Sequence, residues 1–283
     1  MTLTTAPRLL LVHAHPDDES LWTGGTIARY AAAGAHVTVV TCTLGEEGEI
    51  IPAFLRLLAV DEADQLGGYR IGELRAACAA LGVSDHRYLG GAGRWRDSGM
   101  VGTAANEHPR ALVRGDRTEQ IDALAAILAE VRPQVVVTYG PDGGYGHPDH
   151  VAAHQIATEA CSLASDVDRL FHVVTSKRAT EDGVAALSQM DGLAYRLPLP
   201  GELPVTDDAD ITTVVSITEA LPAKLAALRA HATQISVWQG ADGERCYALS
   251  NGIAQPIVPA EYYILAQGDK AGIESDLFGG LDR

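Results

Sequence analysis

The sequence predicts an α/β fold, a mostly parallel sheet with helices on both faces. Three observations carry that expectation. Short apolar, β-branched runs recur through the first 175 residues, helical stretches separate them, and glycine or proline marks the junctions. Alternation of this kind builds parallel strands joined by crossover helices.

In chain order, Arg8–His13 is a buried strand, because Leu9, Leu10, Leu11 and Val12 form an unbroken apolar run. Trp22–Ala33 is a helix that stops at Gly34, where a left-handed cap meets no Cβ. His36–Leu44 has the valine and threonine content of a strand. Ile71–Leu81 is amphipathic and stops at Gly82; Arg87–Leu89 is a short strand, and Glu119–Val131 a helix. Gln134–Tyr139 is a second buried strand. Pro148–Leu163 is a helix that opens on proline, where the missing N–H is one the helix leaves unbonded anyway. Arg169–Thr175 is the strand after it. Beyond residue 176 the pattern weakens to a Pro- and Gly-punctuated stretch up to Asp210, a helix at Glu219–His231 and a terminal strand at Tyr262–Leu265. The expected organisation is a catalytic domain over 1–176 and a smaller C-terminal subdomain over 177–283 that completes the substrate pocket.

The chain has 283 residues, 47% of them hydrophobic and 20% charged, which suits a globular protein with a sizeable core. A net charge of −16 argues against nucleic acid as a partner, since phosphate binding needs clustered cations. No apolar run approaches the ~18 residues of a membrane helix, and Leu9–Val12 is too short for a signal-peptide core. The expected location is the cytoplasm. Cys42, Cys78, Cys161 and Cys246 form no CxxC pair, so reduced, buried thiols are expected rather than a thiolate metal site. The oligomeric state is not readable from the sequence.

Ligands of a parallel sheet sit beyond the carboxyl ends of its strands. The segments there read HAHPDDES, GEEGE, GGAGRWRDSGM and GPDGGYGHPDH. The first and last place imidazoles and carboxylates within a few residues of each other, each after a buried strand. Imidazole with carboxylate oxygen suits zinc, and a catalytic zinc keeps three protein ligands and one open position. No GxGxxG, GxxxxGK[ST] or GxSxG pattern supports a dinucleotide enzyme, a P-loop enzyme or a serine hydrolase.

With these motifs the sequence resembles the LmbE-like or PIG-L family of metal-dependent N-deacetylases, whose fold is Rossmann-like. The stretches VVTCTLGEEGE, DQLGGYRIGEL, YLGGAGRWRDSGM and GYGHPDHV, with text at Leu225–Gln234, are similar to the mycothiol-pathway branch, which acts on N-acetylglucosaminyl-inositol. The resemblance implies His15, Asp18 and His150 as ligands of one Zn2+ per subunit, with Fe2+ the other metal to consider. It implies Asp17 as general base, His147 as acid or oxyanion stabiliser and Tyr145 as a mobile group near the same oxyanion. It also implies Asp149 as the carboxylate orienting a histidine, and Glu49, Arg70 and Asp97 as substrate-binding residues, with Ser20 and Arg94 as weaker candidates. The implied substrate is a small amino sugar. Rival activities are amide cleavage of mycothiol S-conjugates and deacetylation of another N-acetyl sugar. The sequence departs from the branch at Gly140, where an acidic residue is expected, and in a shortened stretch from Ser165 to Asp208.

Plainer readings stand beside these. His13 shares a strand face with His15 but is expected to be structural, and His154 lies one helical turn beyond His150. His36, His86, His108, His172 and His231 are expected as ordinary surface or core histidines. Glu46, Glu47 and Glu49 fit a solvated acidic turn, and Arg70 with Asp97 fits a salt bridge.

Overall fold

The structure, a computed structural model, describes residues 6–240 and 245–281; the outer limits 1 and 283 of the two expected units lie outside them. In chain order it contains β1 (Arg8–His13), α1 (Asp18–Ala32), β2 (His36–Thr41), α2 (Leu66–Leu81), β3 (Asp85–Tyr88), α3 (Arg117–Val131), β4 (Val135–Tyr139) and α4 (Pro148–Leu163). Then follow β5 (Arg169–Val174), α5 (Lys177–Leu187), β6 (Thr213–Ser216), α6 (Leu221–Ala230), β7 (Ser236–Gln239), β8 (Arg245–Ala248), β9 (Gln255–Pro256) and β10 (Ala260–Gln267).

Seven strands form one sheet in the order β3-β2-β1-β4-β5-β10-β6. The first five are parallel, and β10 runs antiparallel to both β5 and β6. Leu9–Val12 and Val135–Val137 are sealed from solvent, as their unbroken apolar runs predict. Burying each such side chain contributes about 1.5–3 kcal/mol. Chain order reverses at β1, which has β2 on one side and β4 on the other. The loops after His13 and Tyr139 therefore open onto one crevice, the usual ligand position of such a sheet.

Elements on both sides of residue 176 share the main sheet. Strands β6 and β10 belong to the main sheet, and α6 packs against α1 and α2. Glu261 of β10 accepts the N–H groups of Gly25 and Thr26 of α1 at 2.9 and 2.8 Å, and pairs with Lys224 of α6 at 2.5 Å. Gly25 is required there, because a Cβ would meet the Ile217 side chain at 2.4 Å. Among the described residues, α5 and the three-stranded sheet β7-β8-β9 pack around a separate small cluster of Leu187, Cys246 and Ala254.

Element limits also moved. Helix α1 begins at Asp18 and not at Trp22, because the HPDD turn runs directly into it. Helix α2 begins at Leu66; two glycines in its first turn hide that start from propensity. Helix α5, capped by Ser176 through the Ala179 N–H, lies in the stretch read as irregular. No helix among the described residues is long and apolar enough to cross a membrane.

Candidate active site

The turn after β1 delivers His15, Asp17 and Asp18, and the loop after β4 delivers Tyr145, His147, Asp149 and His150. His15 Nδ1 lies 3.4 Å from Asp18 Oδ2, His150 Nε2 lies 3.4 Å from the same oxygen, and the two nitrogens are 3.3 Å apart. Three buried donors thus form a nearly equilateral triangle. Each far ring nitrogen is anchored: His15 Nε2 donates to Asp149 Oδ2 at 3.2 Å, and His150 Nδ1 donates to the Gly143 carbonyl at 3.0 Å. Such bonds fix the tautomer that turns a lone pair toward a cation. Gly143 adopts φ 67°, and a Cβ there would strike the His150 Cβ at 2.7 Å.

Two other donor groups share His15. One joins His15, His147 and His150, the other His15, Asp97 and Asp149, each with atoms within 4.8 Å of one another. We favour the triangle of His15, Asp18 and His150, since its edges are uniform and its donors already have anchored partners. In the second group the Asp149 and Asp97 oxygens sit 3.2 and 3.5 Å from His15 Nε2, the geometry of acceptors for its N–H. Burial would lower the His15 pKa, but Asp97, Asp149 and Asp18 reverse this and hold it well above its usual value. The centre is electrostatically built for positive charge.

Asp17 lies beside the triangle with φ 124° and ψ −30°, a strained conformation for a non-glycine residue. Burial raises its carboxyl to about 6, against the pull of Arg70, whose Nη2 lies 3.0 Å from Asp17 Oδ2. Arg70 also donates to the Gly45 carbonyl at 2.7 Å and to that of Pro16. Its partner is therefore Asp17 and not Asp97. Asp97 instead faces His15 and His147, at 3.5 and 3.9 Å; burial would raise its carboxyl, but His15 holds it low.

His147 caps α4, its Nδ1 accepting the Asp149 N–H at 3.2 Å, so its proton sits on Nε2. Burial and neighbouring His15 depress it to about 3, leaving a neutral donor. Asp149 accepts from His15 and from the Ser98 N–H, so the histidine it orients is His15. Tyr145 is 47% exposed, with its hydroxyl 3.5 Å from His150 Nε2.

A cavity of about 470 Å³ opens over this centre. His15, Asp17, Arg70 and Tyr145 line it together with Glu202, Gln234, Tyr247 and Asn251 from later in the chain. The shortened stretch thus reaches the pocket at Glu202, Leu203 and Pro204. The structure does not bring Glu49 in: it is exposed and outside the cavity, whereas Glu47, two residues earlier, lines it and pairs with Arg96 at 3.2 Å. Glu46 is buried and accepts the Asp97 N–H at 3.0 Å. Arg94 pairs with Glu119 on the surface, and Ser20 donates to Glu19 away from the cavity. His13 bonds Thr23 at 2.9 Å, and His154 is tied to the Tyr139 carbonyl at 2.9 Å; neither joins the donor triangle. Gly140 leaves its loop supported, because the Gly143 N–H closes a turn onto the Gly140 carbonyl at 2.9 Å.

Sequence reasoning missed Tyr139. Its ring stacks on His150 at 4.1 Å and its hydroxyl accepts the Ala14 N–H at 2.9 Å, joining the two motif loops. A tyrosine ending a buried Val-Val-Val-Thr run was the available signal, since a buried hydroxyl needs a partner.

Comparison with known proteins follows the same lines. Residues 10–161 match the PIG-L family, described as GlcNAc-PI de-N-acetylase. The chain is 68% identical, over 99% of both chains, to the 1D-myo-inositol 2-acetamido-2-deoxy-alpha-D-glucopyranoside deacetylase of Actinosynnema mirum. It is 61% identical to a Saccharopolyspora erythraea protein of the same description, over 99% of this chain and 96% of that one. Among solved structures, a deacetylase of the teicoplanin biosynthesis pathway superposes with a TM-score of 0.51 at 25% identity, covering 80% of this chain and 84% of the other.

Proposed function

The chain belongs to the PIG-L family of GlcNAc-PI de-N-acetylases, and from that premise we propose that it hydrolyses the acetamide of N-acetylglucosaminyl-inositol to glucosaminyl-inositol and acetate. One divalent ion held by His15, Asp18 and His150 is part of the proposal, zinc by preference, with ferrous iron suited to the same donors. The observation that carries the reading is the donor triangle of 3.3–3.4 Å edges with Asp17 beside it. A tetrahedral ion with bonds of about 2.0–2.1 Å separates its donors by about 3.3–3.4 Å, so the residues fit. When bound, such an ion supplies Lewis acidity and makes water a competent nucleophile near neutral pH.

The protein's own groups do the rest. Asp17, lifted toward neutrality by burial, is suited to take the proton of the attacking water and hand it to the departing amine. His147 offers a neutral Nε2–H to the oxygen of the tetrahedral intermediate, so stabilising donor suits it better than acid. Tyr145 offers a second donor from the exposed side. The sugar hydroxyls would meet Asp97 and Arg70 in the cavity, with Glu47 taking the place first given to Glu49. The cytoplasm is the proposed setting; four buried, unpaired cysteines suit it.

Amine release from N-acetylglucosaminyl-inositol, a mycothiol S-conjugate and plain N-acetylglucosamine tests this, using protein stripped of metal and reloaded. Metal-dependent release mainly from the first substrate supports the proposal. Preference for the conjugate would replace the deacetylase by an amidase, and release from none would remove the activity altogether.

A further inference from the structure

We propose that His231 is a positioning residue that acts through Glu19 to hold Asp17 in its strained conformation. The inference rests on the reading of Asp17 as the base. His231 ends α6 and is fully buried. Its Nε2 donates to Glu19 Oε1 at 2.7 Å, and Glu19, also fully buried, uses Oε2 to accept the Asp17 N–H at 3.0 Å.

Asp17 needs such help. A non-glycine residue at φ 124° costs on the order of 1–3 kcal/mol and persists only where its surroundings over-determine it. The conformation has a purpose, because Asp17 and Asp18 are consecutive and yet both line the cavity. A relaxed backbone would tend to turn them apart.

Helix α2 closes the arrangement from two sides. Arg70 grips Asp17 Oδ2 at 3.0 Å. One turn later on the same helix, Glu73 accepts the N–H of Thr233 at 2.8 Å and its hydroxyl at 2.7 Å. Thr233 lies two residues after His231, so this clamp fixes the turn that carries the histidine. A closed ring results: Asp17, Arg70, Glu73, Thr233, His231, Glu19 and back to Asp17. An ordinary buried pair would only join α6 to α1; this one ends on the backbone of the reacting residue.

Three variants test the assignment, each assayed below its own melting temperature. His231→Ala should lower kcat roughly 10- to 100-fold, with KM and metal content about unchanged. His231→Gln, whose amide nitrogen falls where Nε2 was, should recover kcat to within about threefold of wild type. Crystal structures should find Asp17 at positive φ in the Gln variant and relaxed in the Ala variant. Wild-type kcat in His231→Ala, or an unchanged Asp17 φ, would overturn the proposal, as would a loss that follows metal content or KM. If His231→Ala does not fold, His231→Asn, too short to reach Glu19, replaces it, and equal behaviour of Asn and Gln is then the overturning result. Should the wild type release no amine from any sugar, the reading of the activity fails, while the φ comparison still decides the role of His231.

Discussion

The parallel half of the sheet and its antiparallel half build the same cavity by different means. From β1 and β4 come loops dense in ionisable side chains: His15, Asp17 and Asp18 in one, Tyr145, His147 and His150 in the other. From the segment between β6 and β10 come single, scattered anchors, each reaching back into α1. Lys224 with Glu261 and His231 with Glu19 are separated by 37 and 212 residues in sequence. The difference teaches that chemistry here is local in sequence while its support is not.

Removing a ligand separates the two halves most sharply. His150→Ala should fall to background amine release with loss of bound metal, measured in one preparation by assay and elemental analysis; full occupancy in that variant would move the site elsewhere. Asp17→Asn should keep its metal and lose about 10²–10⁴-fold in turnover. An unchanged rate would take Asp17 out of the mechanism. On the other half, Lys224→Met leaves Glu261 buried without its counter-charge and should cost about 3–5 kcal/mol of stability in denaturant unfolding. Its kcat should stay within about twofold of wild type below the melting temperature, because that pair touches no reacting group. A large fall in kcat would dissolve the distinction between the halves.

The smallest effect is in pH. Burial would raise Glu19, but His231 outweighs it and holds the carboxyl at about 2, below its usual 4.5. That contribution to stability is present above pH 4.5 and lost as the pH falls toward 2. His231 runs the other way. Burial would lower it, but Glu19 raises it above 6.5, so its contribution is full below that pH and lost as the pH climbs through the raised value. Unfolding midpoints against pH should therefore show a shallower acid fall in Glu19→Gln than in the wild type; identical acid limbs would contradict the assignment.

The contrast also explains what could be read in advance. The strand pattern and the two His-Pro-Asp motifs announced the sheet, the crevice and the loops that line it, because apolar runs and loop chemistry are local signals. Glu49 was nominated and Glu47 found lining the cavity, since a three-glutamate turn does not reveal which side chain faces inward. Arg70 and Asp97 were both nominated, but their partners, Asp17 on one side and His15 on the other, depended on how distant loops met. Strand β6 carried no clear signal, and nothing in the strand expected at Tyr262–Leu265 showed that it returns beside β5. His231 looked like an ordinary core histidine, for Glu19, which its side chain bonds, lies at the other end of the sequence.

Anomalous diffraction from zinc-loaded crystals would locate the ion. One peak is expected within bonding distance of His15 Nδ1, Asp18 Oδ2 and His150 Nε2, with Asp17 free beside it. A peak bound instead through His15 Nε2 with Asp97 and Asp149 would contradict that ligand set, as would no ordered zinc at all.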